Sequence, residues 1–270
     1  MGATRHNTAV TLHTTTYGKD GSPIVFCHGL FGQGRNWTAV AKALADSHRT
    51  VLVDLPHHGR SPWLESFDYV EVADQVTEFL ADQFGHDDPV TLVGHSMGGK
   101  VAMVTTLRSP ELVRRLCVVD IAPVGYGSRG EFAGYVEAMQ ALDLGSLGRR
   151  ADADTALKPA VPNRTVRNFL LQNLQREGEG WRWQVNLEVL GRDLDALTDW
   201  PAKRLEGLAP FEGQVVWVAG GDSDYVRSEQ QAEMRRLFPH NRKIVIKGAG
   251  HWVHAQRPEV VVEVLRQLAV

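Results

Sequence analysis

Residues 89–104 read "PVTLVGHSMGGKVAMV", and the fold turns on how this stretch is read. Val90 to Val93 form a short apolar run behind Pro89, the pattern of a buried strand. Lys100 to Leu107 carry helix-compatible residues. Between them Gly94-His95-Ser96-Met97-Gly98-Gly99 leaves no room for a loop, so strand must turn directly into helix. A serine at such a corner has its hydroxyl exposed beside the positive end of a helix. The residues two before and two after it are forced together, which suits Gly94 and Gly98. A phosphate-cradling loop fits poorly. The G-x-x-x-x-G-K-[ST] spacing is absent, and Ser96 occupies the position where a dinucleotide fingerprint needs its second glycine.

Working outward, short β-rich runs alternate with helical patterns. "TAVTLHTTTYG" (8–18) alternates like an edge strand, and "SPIVFCHG" (22–29) and "HRTVLVDLP" (48–56) read as buried strands. "RRLCVVD" (114–120), "QVVWVAGG" (214–221) and "RKIVIKGAG" (242–250) are further buried strands. Helical periodicity runs through "NWTAVAKALAD", "DYVEVADQVTEFLADQF", "SEQQAEMRRLF" and "PEVVVEVLRQLAV". In the second of these Val72, Val76, Phe79 and Leu80 share a face, and Asp68 with Glu71 resembles a capping box. In the last, Pro258 suits a first helical turn. This rhythm predicts an α/β fold, a mostly parallel central sheet flanked by helices. It breaks between Ile121 and Glu212, where the pattern is helical, holds Trp181, Trp183 and Trp200, and suggests no strand. Some 90 residues are too long for an ordinary connection. The expectation is a core of residues 1–120 and 213–270 with a helical cap, 121–212, inserted after the sixth strand and serving as a lid.

The bulk numbers exclude several classes. The chain has 270 residues, 43% of them hydrophobic and 23% charged, as in an ordinary globular enzyme. A net charge of −3 gives no reason to expect nucleic acid or an anionic membrane surface. Cys27 and Cys117 each sit in an apolar run, so reduced core thiols are expected, with no disulfide and no metal site. The opening "MGATRHNTAV" lacks a secretory apolar stretch, and His6 stands where myristoylation needs Ser or Thr. No apolar run reaches membrane-spanning length, and a cytoplasmic location is expected.

A serine hydroxyl becomes a nucleophile only when a base takes its proton. Among eleven histidines, His251 in "KGAGHWVHAQRPE" lies just past the last strand and ahead of the final helix. His254 fits a supporting role, His95 should point away from the serine, and His57 and His58 suit a structural turn. The acid stays open: Asp120 ends one strand, while Asp222 and Asp224 follow another, and each keeps the order Ser, Asp, His. Oxyanion donors are expected from the backbone N–H of Met97 at the helix start, and from Leu30 in the glycine-rich turn of "IVFCHGLFGQG".

Taken together, "HGLFG", "HGRS", "GHSMGGK", "VVDIAP", "GGDSDYV" and "GHWVHAQRPE" resemble the α/β-hydrolase superfamily over essentially the whole chain. More closely, they are similar to compact bacterial esterases related to a mitochondrial α/β-hydrolase-domain protein. The resemblance implies hydrolysis of short acyl esters, extending to acyl thioesters, with no cofactor and a small-molecule substrate. It maps the acid to Asp120. Two departures stand out. "GGDSD" replaces the commoner "GGNS", which keeps Asp224 in play, and "DLPHHGRS" has Pro56-His57 where Arg-Asn is common. The expected site is therefore Ser96, Asp120 and His251, with Leu30 and Met97 amides for the oxyanion. Cofactor-free haloperoxidases, carbon–carbon bond hydrolases and non-catalytic ligand receptors share this pattern and remain alternatives.

Overall fold

A computed structural model describes residues 11–127 and 130–269. Seven strands form the central sheet: β1 (Thr14–Tyr17), β2 (Pro23–Cys27), β3 (Arg49–Val53), β4 (Val90–His95), β5 (Val113–Val119), and two that follow a long insertion, β8 (Gln214–Gly220) and β9 (Asn241–Ile246). Their spatial order is β1-β3-β2-β4-β5-β8-β9. Every neighbouring pair is parallel except the edge pair β1–β3. Residues 8–10 of the expected edge strand, with the leader and myristoylation positions, lie outside the described residues.

Helices α1 (Thr38–Leu44), α2 (Tyr69–Gln83) and α3 (Met97–Arg108) follow β2, β3 and β4, and α9 (Gln231–Leu237) joins β8 to β9. The short α10 (Val253–Gln256) and α11 (Pro258–Leu268) close the chain. Because helices cover both faces, β2 and β4 are buried at every residue, and alternation sorts them between two cores. Val25, Leu92 and Val118 pack with α2 and α3, whereas Phe26, Val93 and Val119 pack with Val40 and Leu44 of α1 and Leu265 of α11. Cys27 and Cys117 fall on opposite faces, both free and buried, and burial pushes each thiol up to about 12. At the start of α2 the Asp68 carboxylate accepts from the Val70 and Glu71 amides, and Val72, Val76 and Leu80 are buried as the periodicity predicts.

The insertion follows the fifth strand among the described residues, not the sixth. It holds α4 (Gly130–Gln140), α5 (Arg150–Leu157), α6 (Arg164–Leu171), α7 (Leu187–Arg192) and α8 (Leu194–Thr198). It is not purely helical. Helix α6 ends at Leu171, and a hairpin follows, β6 (Leu174–Glu177) with antiparallel β7 (Gly180–Trp183). Gly178, at φ +58, makes the turn, and Arg176 lies over the Trp181 ring. Part of the insertion has its own small core, where Leu147, Leu157 and Leu174 meet Trp181 and Trp183. The rest is stitched to the main body. The Asn186 amide donates to the His57 carbonyl at 2.8 Å, Asn173 Nδ2 to the Phe31 carbonyl at 2.7 Å, and Tyr69 to the Leu197 carbonyl at 2.7 Å. Among the described residues no helix is long and apolar enough to cross a membrane.

Candidate active site

The C-terminal ends of β4, β5, β8 and β9 open toward the insertion, and the predicted residues collect there. Ser96 immediately follows β4 and caps α3, with φ 51° and ψ −119°. A side chain on either flank has no space. A Cβ at Gly94 would sit 2.2 Å from the Gly98 carbonyl oxygen, and one at Gly98 would sit 2.3 Å from that of His28. The two glycines thus permit a left-handed backbone at a non-glycine residue, a strain tolerated at sites where a side chain must be aimed.

Asp120 follows β5 directly, also at positive φ (52°), and its carboxylate is fully buried. Oδ1 accepts the Gly220 amide at 2.8 Å, and Oδ2 accepts from the Ser223 hydroxyl and from His251 Nδ1, the latter at 2.8 Å. Three donors answer a charge that would otherwise be costly in the interior. Since a carboxylate only accepts, the proton of His251 resides on Nδ1, and Nε2 faces Ser96 Oγ at 2.9 Å as an acceptor. Asp222 and Asp224 are both exposed and stand outside this chain of bonds. The Asp224 backbone carbonyl instead accepts from Arg227.

Leu30 lies in the turn after β2. That turn is held by two buried imidazoles, each in the Nδ1–H form. His58 Nε2 accepts the Phe31 amide at 3.1 Å while its Nδ1–H donates to the Pro56 carbonyl. His28 Nε2 accepts the Leu55 amide at 3.0 Å and its Nδ1–H donates to Gly29. Burial holds both below the usual imidazole range, His58 well below it. The expected turn role of His57 and His58 is met: His57 has φ 69° and bridges to the insertion through Asn186.

Two apolar compartments meet at Ser96, sharing Leu30 and Phe132 as walls. The first, about 470 Å³, runs past Met97, Ile121, Leu194 and Leu197 to Lys100. The second, about 340 Å³, is lined by His251, Phe31, Val166, Phe169 and Trp252. Phe132, Tyr135 and Phe169 of the insertion therefore face the site, whereas Trp200 is buried and Trp181 donates its indole N–H to the Leu147 carbonyl.

Three features were not anticipated from the residues. The Ser223 hydroxyl donates to Asp120 from between the two exposed aspartates of "GGDSD". Tyr225 lies flat on the His251 ring, with centroids 4.1 Å apart and planes at 25°, positioned by the Tyr126 hydroxyl donating to the Tyr225 carbonyl at 2.6 Å. Lys100 is buried, donates from Nζ to the Thr198 and Asp199 carbonyls at 3.0 and 2.6 Å, and faces the Tyr69 and Tyr126 rings. Burial, opposed by Asp199, lowers its amine to about 7. Only its place at i+4 from Ser96, one turn down the same helix, hinted at a pocket position.

A strained serine corner bonded to a histidine–aspartate pair, at the strand ends of this sheet, is the arrangement shared by one large group of proteins, and residues 24–264 match the model of the alpha/beta hydrolase family. The chain belongs to the alpha/beta hydrolase family. It is 38% identical over 243 residues to the sn-1-specific diacylglycerol lipase ABHD11 of Mus musculus, covering 87% of this chain and 77% of that protein. It is 32% identical to the esterase YbfF of Escherichia coli K12, covering 91% and 92% respectively. A solved marine microorganism esterase superposes with a TM-score of 0.90 at 30% identity, covering 96% of this chain and 99% of that one.

Proposed function

We propose that this α/β-hydrolase cleaves carboxylic esters through an acyl-enzyme formed on Ser96. The observation that carries the reading is the continuous chain Ser96 Oγ–His251 Nε2–Asp120 Oδ2, at 2.9 and 2.8 Å. His251 takes the hydroxyl proton as Ser96 attacks the acyl carbon. It then delivers that proton to the departing alcohol oxygen, and repeats both steps with water to release the acid. Asp120 fixes the Nδ1–H tautomer and stabilises the imidazolium. The Tyr225 ring stacks on the imidazole and limits its rotation.

Negative charge developing on the carbonyl oxygen calls for preorganised donors. Met97 is the first residue of α3, where an amide has no intrahelical acceptor, and Leu30 borders the same compartment. These two N–H groups are assigned to the oxyanion. The compartments then take different parts of the substrate. The leaving oxygen must lie within reach of His251, which lines the smaller one, so the alcohol occupies the side of Phe169 and Trp252. The acyl chain occupies the side of Ile121, Leu194 and Leu197. A thiol leaving group passes through the same cycle, which extends the reading to thioesters. The insertion, which supplies walls to both, acts as the lid.

Support from relatives agrees in class: the mouse relative is named a diacylglycerol lipase and the E. coli relative an esterase. The test is p-nitrophenyl ester hydrolysis together with fluorophosphonate labelling. Wild type should turn over and label, and Ser96→Ala should do neither. Folded wild-type protein that resists the label while hydrolysing esters would overturn the nucleophile assignment.

A further inference from the structure

His95, the last residue of β4 and the neighbour of Ser96, is buried and plays no part in the acyl-enzyme cycle described above. Its Nε2 lies 2.8 Å from the backbone carbonyl oxygen of His251. A carbonyl only accepts, so His95 carries its proton on Nε2, the opposite tautomer to His28 and His58. That nitrogen is committed as a donor to the His251 main chain.

The bond matters because of where His251 sits. The residue lies in the irregular segment between β9 and α10. That segment is tied at Ala249, whose carbonyl accepts the Asp222 amide at 2.9 Å, and at Gly250, whose amide donates to Gln256 Oε1 at 2.7 Å. At His251 itself the main-chain tie is the one to His95. The His95 ring cannot swing away. It contacts the His251 and His254 rings at 4.7 and 4.5 Å, and His254 is in turn stacked on Trp37 at 4.4 Å. On another side it lies under the oxyanion turn, where a Cβ at Gly29 would fall 2.8 Å from its Nδ1.

We propose that His95 is a positioning residue, whose Nε2–H holds the His251 main chain and thereby keeps His251 Nε2 within hydrogen-bonding distance of the Ser96 hydroxyl. The proposal rests on the acyl-enzyme reading. One side chain links the strand that carries the nucleophile, the loop that carries the base and the turn assigned to the oxyanion. A displacement of about 1 Å between reacting groups can cost on the order of 100-fold in rate, so a tie at this point has leverage on turnover, although His95 also borders the smaller compartment.

The experiment compares His95→Leu, which removes the donor, with His95→Gln, whose amide N–H reaches about as far as imidazole Nε2. Expected for His95→Leu is a 10- to 100-fold fall in kcat with KM within about threefold of wild type, order-of-magnitude figures for a misplaced base. The same variant should label more slowly with fluorophosphonate, and His95→Gln should recover most of both losses. Equal losses in the two variants, or a His95→Leu enzyme within twofold of wild-type kcat, overturn the proposal. Should neither variant fold, ¹⁵N NMR of the wild-type imidazoles decides it: the Nε2–H tautomer at His95 supports the tie, and the Nδ1–H tautomer removes it. Wild type that labels normally while the two variants behave alike overturns this proposal alone. Wild type that does not label overturns the acyl-enzyme reading beneath it.

Discussion

Asp120 reaches His251 because it is the first residue beyond β5, at φ 52°, so that its carboxylate turns across the sheet end toward β8 and the loop behind β9. Asp224 is exposed, and the Arg227 side chain binds its carbonyl rather than its carboxylate. Asp120→Asn should therefore lower kcat on a p-nitrophenyl ester by up to about 10⁴-fold, the scale of losing the equivalent acid in a serine protease. Asp224→Asn should stay within about twofold, as an exposed substitution away from the chemistry does. Steady-state kinetics of both variants check this, and a large loss confined to Asp224→Asn would contradict it. At this scale the site was largely legible in the sequence. Ser96 and its glycines are dictated by a clash between Gly94 and Gly98 that operates within five residues of chain. The choice of acid was not dictated locally. It depends on positive φ at Asp120 and on donors from Gly220 and Ser223, about a hundred residues away.

Helix α3 carries the nucleophile's amide partner at one end and Lys100 one turn later, where the ammonium bridges to the Thr198 and Asp199 carbonyls of the insertion. Burial lowers this amine from 10.5 to about 7, so between those values the unfolded chain holds a proton that the fold does not. Stability therefore rises with pH across that window, and the charged-lysine penalty is fully present below it. A depression of this size corresponds to on the order of 5 kcal/mol. Lys100→Met should flatten the rise. Urea midpoints measured at pH 7 and pH 9.5 should move apart in wild type and much less in the variant. Equal slopes would show that Lys100 keeps its ordinary affinity for protons in the fold. Elements of this kind were readable where hydrophobic period decided them, as with the face of α2 or the buried run of β4. The hairpin β6–β7 was not, because "LQRE" shows no strand period and the alternation of "GWRW" spans only four residues. They pair through Gly178 and through packing of Trp181 and Trp183 on the small core of the insertion.

Across the described residues, six buried imidazoles outside the Ser96–His251–Asp120 chain share one electrostatic sign. Burial holds His28, His48, His57, His58, His95 and His254 below 6.5, the last at about 3. Below pH 6.5 the unfolded chain takes up protons that the native fold refuses, so stability is lost as pH falls, by about 1.4 kcal/mol per pH unit for each such group. Melting temperature should drop steeply from pH 7 to pH 5, and a flat profile there would contradict the neutral, buried imidazoles described. The α/β architecture itself was legible, because strand and helix periods alternate along the chain. The course of the 92-residue stretch from 121 to 212 was not, because its helices pack partly on one another and partly on the main core. The central claim is an acyl group carried on Ser96 and discharged with the help of His251. Its most direct test is intact-protein and peptide mass spectrometry after mixing with p-nitrophenyl acetate and quenching in acid. Wild type should carry one acetyl on the peptide holding Ser96, His251→Ala and Ser96→Ala should carry none, and an adduct at any other residue in active wild type would contradict the account.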